Sequence, residues 1–191
     1  MNDMLEIRWH GRGGQGAKTA ALLLGEAVVH DGKYVQAFPE YGPERMGAPV
    51  QSFNRISEQP ITLHCSVTNP EVVVVLDASL IEGVDVTAGL SEEGVLLINT
   101  GDTVEKIREK INWSGKKLYT VDASKIARET IKRDVPNTPM MGALVKVVKI
   151  IDFDKMLTDT QKKLEKKFKN RPEVVAGNVT AIKRAYEEVT V

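Results

Sequence analysis

Three short segments carry residue types at spacings that could do chemistry. The first is Gly11-Arg12-Gly13-Gly14-Gln15-Gly16, which fits the pattern G-x-G-x-x-G. Glycines at that spacing permit positive φ and close backbone approach. Where such a run joins a strand to a helix, the helix N-terminus offers unpaired N–H groups and a partial positive charge to an anion. The run reads either as a seat for a phosphate-sized group or as a tight turn packed against another subunit, and spacing alone leaves both open. A nicotinamide dinucleotide would also need an acidic residue at the end of the second strand. Asp31 comes before that strand and Glu40 falls in the loop after Pro39, so a stand-alone dinucleotide-binding oxidoreductase is one alternative reading, and a non-catalytic scaffold subunit with an idle glycine turn is the other. No Lys-Ser or Lys-Thr follows the glycines at the spacing of a P-loop.

The second segment, residues 38–50, sets Arg45 among Glu40, Tyr41 and Glu44 between prolines and glycines. An arginine there can join a charge-assisted network or clamp a phosphate or carboxylate. The prolines and glycines equally suit a turn-rich interface loop. The third is Asn137-Thr138-Pro139-Met140-Met141-Gly142-Ala143, where small residues let another backbone or a ligand approach and methionines supply adaptable apolar surface. Core or subunit packing is the simpler use. His10, His30 and His64 have no partners at the spacing of a nucleophilic triad and read as satisfied or exposed imidazoles.

These segments need elements to position them. Leu5, Ile7 and Trp9 alternate with polar residues, giving a strand that runs into the glycine turn, and 17–28 reads as the helix after it. Further strands are predicted at 34–38, 50–56 and 72–76, with a short one at 61–64 and two more at 95–98 and 117–121. The Val72–Leu76 run is the β-branched type that fills a strand buried on both faces. Helices are predicted at 103–111, 123–132, 139–151, 153–168 and 172–189, with Thr138 and Asn170 as caps of the third and last. The fold class is α/β: a doubly wound, mostly parallel sheet with flanking helices and a helical C-terminal third, in a single domain spanning 1–191.

Composition narrows the class of function. Lys+Arg and Asp+Glu balance at 26 each, which gives no positive field for nucleic acid. The start of the chain lacks the basic and apolar regions of a secretory signal, and no apolar run reaches membrane-spanning length, so a cytoplasmic protein is expected. A single cysteine, Cys65, excludes an internal disulfide and any cluster ligated by this chain's thiolates alone. Lys162, Lys163, Lys166 and Lys167 read as the solvated face of a helix.

Taken together and in order, Gly-Arg-Gly-Gly-Gln-Gly at 11–16, Glu-Tyr-Gly-Pro-Glu-Arg-Met-Gly-Ala-Pro-Val at 40–50 and Asn-Thr-Pro-Met-Met-Gly-Ala at 137–143 resemble the gamma subunit of 2-oxoacid:ferredoxin oxidoreductases of the pyruvate type. Gly-Ala-Pro at 47–49 is similar to the pyruvate branch, although Met46 stands where that branch has a second arginine. The resemblance implies a subunit that is inactive alone, working with alpha, beta and delta subunits and with ferredoxin. It implies thiamine diphosphate, Mg2+ and [4Fe-4S] clusters carried by the other chains, and coenzyme A as substrate. It further implies that Gly11, Arg12, Gly13, Gly14, Gln15, Gly16, Glu40, Arg45 and Asn137 contact coenzyme A or a neighbouring subunit, with the first two motifs meeting at the carboxyl edge of the sheet.

Overall fold

The structure, a computed structural model, describes residues 4–40 and 46–190. Strand β1 (Met4–Arg12) leads through the glycine turn into helix α1 (Ala17–His30), which returns the chain to β2 (Tyr34–Pro39). Strand β3 (Pro49–Ser57) then pairs antiparallel with both β2 and β1. Beyond it lie β4 (Val72–Val75), β5 (Val95–Asn99) and β6 (Lys117–Val121), each parallel to its neighbour and continuing from β1. The six strands form one sheet in the order β2-β3-β1-β4-β5-β6. The doubly wound parallel arrangement therefore describes β1, β4, β5 and β6, while β3 makes the sheet mixed. Residues 40–48 are too short a link for the crossover helix a parallel β2–β3 pair would need, so β3 returns antiparallel.

Burial explains why the central strands form where they do. Val72 to Val75 are at most 1% exposed, and they alternate between two apolar clusters, Val72 and Val74 on one face and Val73 and Val75 on the other. Helices α1, α3 (Ala123–Thr130), α4 (Asn137–Val148), α5 (Phe153–Lys167) and α6 (Pro172–Glu188) supply the first cluster. A 3-10 helix (Ala78–Glu82) and α2 (Val104–Lys110) cover the second. Trp9 Nε1 donates to Asn54 Oδ1 at 2.8 Å and Asn54 Nδ2 donates to the Ala21 carbonyl at 2.8 Å, so one buried amide links β1, β3 and α1. No helix among the described residues is long and apolar enough to cross a membrane.

Several local expectations are corrected. Residues 61–64 form no strand; β2 is the edge of the sheet, and the Gln36 side chain rather than a neighbouring strand takes the Leu63 carbonyl, at 2.9 Å. Helix α4 begins at Asn137 after Pro136, so Thr138 lies inside it, where its hydroxyl donates to Asn178 Oδ1 at 2.7 Å instead of capping. The same helix stops at Val148 because Lys149 turns left-handed, with φ 55°. Arg171, not Asn170, precedes α6. Asp122 and Asp152 cap α3 and α5 by accepting from the backbone N–H groups of Lys125 and Lys155.

Candidate functional site

The glycine turn sits where β1 ends, beside the carboxyl end of β4. Gly14 and Gly16 have φ of +99° and +85°, conformations in which a Cβ is penalised. At Gly16 a Cβ would also fall 2.6 Å from Asn137 Nδ2, so the third motif packs against the first. The second motif joins them through the backbone: Gly13 N–H donates to the Ala48 carbonyl at 2.9 Å and Gly47 N–H donates to the Gly13 carbonyl at 3.1 Å. Glu40 N–H donates to the Gln51 carbonyl at 3.0 Å, which places Glu40 at the same edge with its side chain exposed. Segments far apart in sequence are thus assembled around one turn.

Side chains brace the turn from below. Gln15 Oε1 accepts from Arg12 N–H at 2.7 Å while its Nε2 donates to Asp77 Oδ2 at 2.7 Å. Arg12 donates from Nη2 to Ser79 Oγ at 2.8 Å and from Nη1 to the Gly47 carbonyl at 3.1 Å, and its Nε lies 3.3 Å from Asp77 Oδ2. Asp77 Oδ1 accepts from the backbone N–H and hydroxyl of Ser79 at 3.0 and 2.7 Å. Burial alone would raise the Asp77 pKa, but the Ser79 and Gln15 hydrogen bonds and the Arg12 charge together hold it below the usual carboxylate range.

A groove of about 490 Å³ opens above the turn, lined by Gly13, Gly14, Gly16, Lys18, Glu40 and Met46 among others. Gly16 is the N-cap of α1 and brings no capping side chain, so the first-turn amides and the positive end of the dipole face this opening. A second cavity of about 540 Å³ lies against β2 and β3 and shares Glu40 and Pro39 with the first. Its buried cation, Arg55, is consumed structurally: Nε lies 2.6 Å from Glu6 Oε1, Nη1 donates to Gln36 Oε1, and the guanidinium covers the Phe38 ring.

The histidines do no chemistry here that the geometry supports. His10 is buried, and its Nε2 accepts from Arg8 Nε at 2.9 Å. Burial and the Arg8 charge depress its pKa to about 3, so it is a neutral acceptor at pH 7. Arg8 itself is held by the Val86 and Ala88 carbonyls. His30 pairs with Asp159, and His64 is exposed beside Cys65.

Strand order also bears on the dinucleotide reading. An acid at the end of β2 would hold a ribose if β2 lay next to β1, but β3 intervenes, which moves it a further ~4.8 Å away. Of the residues singled out from the sequence, Gly11 to Gly16, Glu40 and Asn137 are gathered at one edge. Arg45 lies outside the described residues. Asp77 and Ser79 were missed; the only hint was their position directly after the buried β4 run, where α/β folds place functional groups.

The pyruvate ferredoxin/flavodoxin oxidoreductase family matches residues 6–188. The chain belongs to that family. Pyruvate synthase subunit PorC of Thermotoga maritima is 50% identical over 184 residues, covering 96% of this chain and 94% of that one. The pyruvate/ketoisovalerate oxidoreductases common subunit gamma of Pyrococcus furiosus is 46% identical over 191 residues, with 98% of each covered. The crystal structure of the pyruvate oxidoreductase subunit PorC from Thermotoga maritima superposes with a TM-score of 0.86 at 48% identity, over 99% of this chain and 98% of that one. The α/β expectation and the family resemblance drawn from the three motifs therefore both hold, and the pyruvate ferredoxin/flavodoxin oxidoreductase family sets the chemistry within which this edge is read.

Proposed function

We propose that the chain is the gamma subunit of a 2-oxoacid:ferredoxin oxidoreductase that converts pyruvate and coenzyme A reversibly into acetyl-CoA, carbon dioxide and reduced ferredoxin. The observation that carries this reading is near-50% identity to PorC over almost the whole length of both chains. Gly-Ala-Pro at 47–49 supports pyruvate as the oxoacid.

The decarboxylation and electron transfer are chemistry that thiamine diphosphate and iron–sulfur clusters supply when bound. The donor set of this chain does not fit a [4Fe-4S] cluster. It has one cysteine, and among the described residues no three His, Cys, Asp or Glu side chains gather as metal ligands. We assign thiamine diphosphate, Mg2+ and the [4Fe-4S] clusters to the alpha, beta and delta subunits of a cytoplasmic assembly, with ferredoxin as the electron acceptor.

This chain's own part is to shape the complex and to meet coenzyme A at the glycine-turn edge. The amides of Gly14 and Gly16 and the first turn of α1 suit a phosphate. Glu40 belongs to the rim of the same groove, and Asn137 sets the turn from behind. The test is to purify the native complex through a tag on this chain, identify the co-purifying chains, and follow viologen reduction with pyruvate and coenzyme A. Cluster- and thiamine-bearing partners with activity dependent on both substrates are expected; a lone chain with no such activity overturns the reading. Within an intact complex, Arg45→Ala should raise the KM for coenzyme A, on the order of tenfold, if Arg45 meets a phosphate.

A further inference from the structure

Arg12 has the charge and the position to be a phosphate ligand in the groove, yet its hydrogen bonds point the other way. Nη1 is given to the Gly47 carbonyl, and Nε and Nη2 to Ser79 Oγ. A guanidinium has five donors on three nitrogens, and all three nitrogens are engaged within the chain. The carboxylate opposite is equally full: Asp77 accepts from Ser79 N–H, Ser79 Oγ–H and Gln15 Nε2, and lies 3.3 Å from Arg12 Nε. Four contacts saturate the roughly four lone-pair sites of a carboxylate. A carboxylate this close also cancels most of the field Arg12 would present to an incoming anion.

The network ties together three segments that share no sequence proximity. Arg12 ends β1, Gly47 belongs to the loop that hydrogen-bonds Gly13, and Asp77 follows the buried β4 and caps the 3-10 helix that carries Ser79. Leu76 N–H donates to the His10 carbonyl at 2.8 Å, so Asp77 is anchored to the same strand that delivers the turn. Asp77 is therefore fixed by the most buried part of the sheet, and Arg12 passes that fixity across to the loop.

We propose that Arg12 is a clasp and not a phosphate ligand, and that Asp77, with Ser79, is the positioning residue that holds the clasp and so sets the distance between the glycine turn and the 46–49 loop on either side of the groove. This rests on the reading that coenzyme A meets this edge. The two roles for Arg12 predict opposite signs for one substitution. If Arg12 is a clasp, Asp77→Asn lets the guanidinium go and the loop loses its strut, so coenzyme A binds less well. If Arg12 is a ligand, the same change releases it from its carboxylate and coenzyme A binds as well or better.

The experiment uses the assembled complex carrying Asp77→Asn or Ser79→Ala, with KM and kcat measured for coenzyme A, for dephospho-coenzyme A and for pyruvate. The expected result is a KM for coenzyme A raised about fivefold, an equal rise for dephospho-coenzyme A, and pyruvate KM and kcat within twofold of the parent. An unchanged or lowered KM for coenzyme A in both variants overturns the clasp, as does a rise confined to coenzyme A and absent for its dephospho form. If Asp77→Asn prevents assembly, Ser79→Ala decides by the same criteria. Amide hydrogen exchange of the parent complex with and without coenzyme A separates the two levels of the argument. Loss of any protection at 11–19 overturns the site itself, whereas protection there with an unmoved KM in the variants overturns only the clasp.

Discussion

His10 sits one residue before the glycine turn, two residues from Arg8 on the same face of β1, and the pair shows how a charged sequence position can be chemically quiet. The imidazole accepts the Arg8 Nε–H, so it must be neutral on Nε2. Its folded pKa of about 3 lies below the ordinary 6.5. Between those values the unfolded chain binds the proton and the folded chain does not, so stability falls as pH drops through that window. The slope approaches about 1.4 kcal/mol per pH unit. Wild-type chain should therefore lose roughly 2 to 3 kcal/mol from this group between pH 7 and pH 4.5, read as a lower urea midpoint. His10→Gln keeps an acceptor for Arg8 and removes the titration, so its midpoint should fall less over the same interval. Parallel declines in the two proteins would mean that His10 takes up its proton without cost.

At the level of elements, α4 and α6 approach so closely that only glycine fits between them. A Cβ on Gly142 would stand 2.2 Å from the Ile182 carbonyl oxygen, and one on Gly177 would stand 2.5 Å from the Thr130 carbonyl oxygen in α3. These obstacles are backbone, which cannot swing aside as a side chain does. Gly142→Ala should lower unfolding free energy by about 2 kcal/mol or more, measured by urea titration, although alanine favours helix intrinsically; a stabilised variant would show that the helices separate freely. The sequence pointed to this packing through the small pair Gly142 and Ala143, and it marked β4 through four consecutive valines. It did not reveal that β3 runs antiparallel, because direction depends on the link between strands and not on the pattern within one. Residues 61–64 looked extended for the same reason: alternation describes a strand but does not provide a free neighbour to pair with. The site was half legible. Glycines and Asn137 announce their need for close approach, whereas Asp77 and Ser79 become partners of Arg12 only because β4 lies next to β1.

Across the whole molecule, the sheet order gives the groove walls of unequal firmness. The glycine turn hangs from β1, which is paired on both sides and continues into β4 and β5, the best-buried strands. Part of the opposing wall is the end of β2, an edge strand without a fully buried residue, and the segment after Ser57, which lies against the neighbouring cavity, is mostly exposed. On the far side, α2 contributes a single buried residue, Ile107. Local opening costs least where few apolar groups are buried and one flank is unpaired. Amide hydrogen exchange of the chain should therefore find the slowest protons in β1, β4 and β5, with β2, α2 and residues 58–66 exchanging well before global unfolding. If β2 exchanged as slowly as β1, the sheet would open as one unit and the groove would have two rigid walls. With the expected order, the turn that presents its amides stays fixed while the β2 side can yield, and the Asp77–Arg12–Gly47 link joins the Gly13 backbone hydrogen bonds to Ala48 and Gly47 in keeping the 46–49 loop in register with the turn.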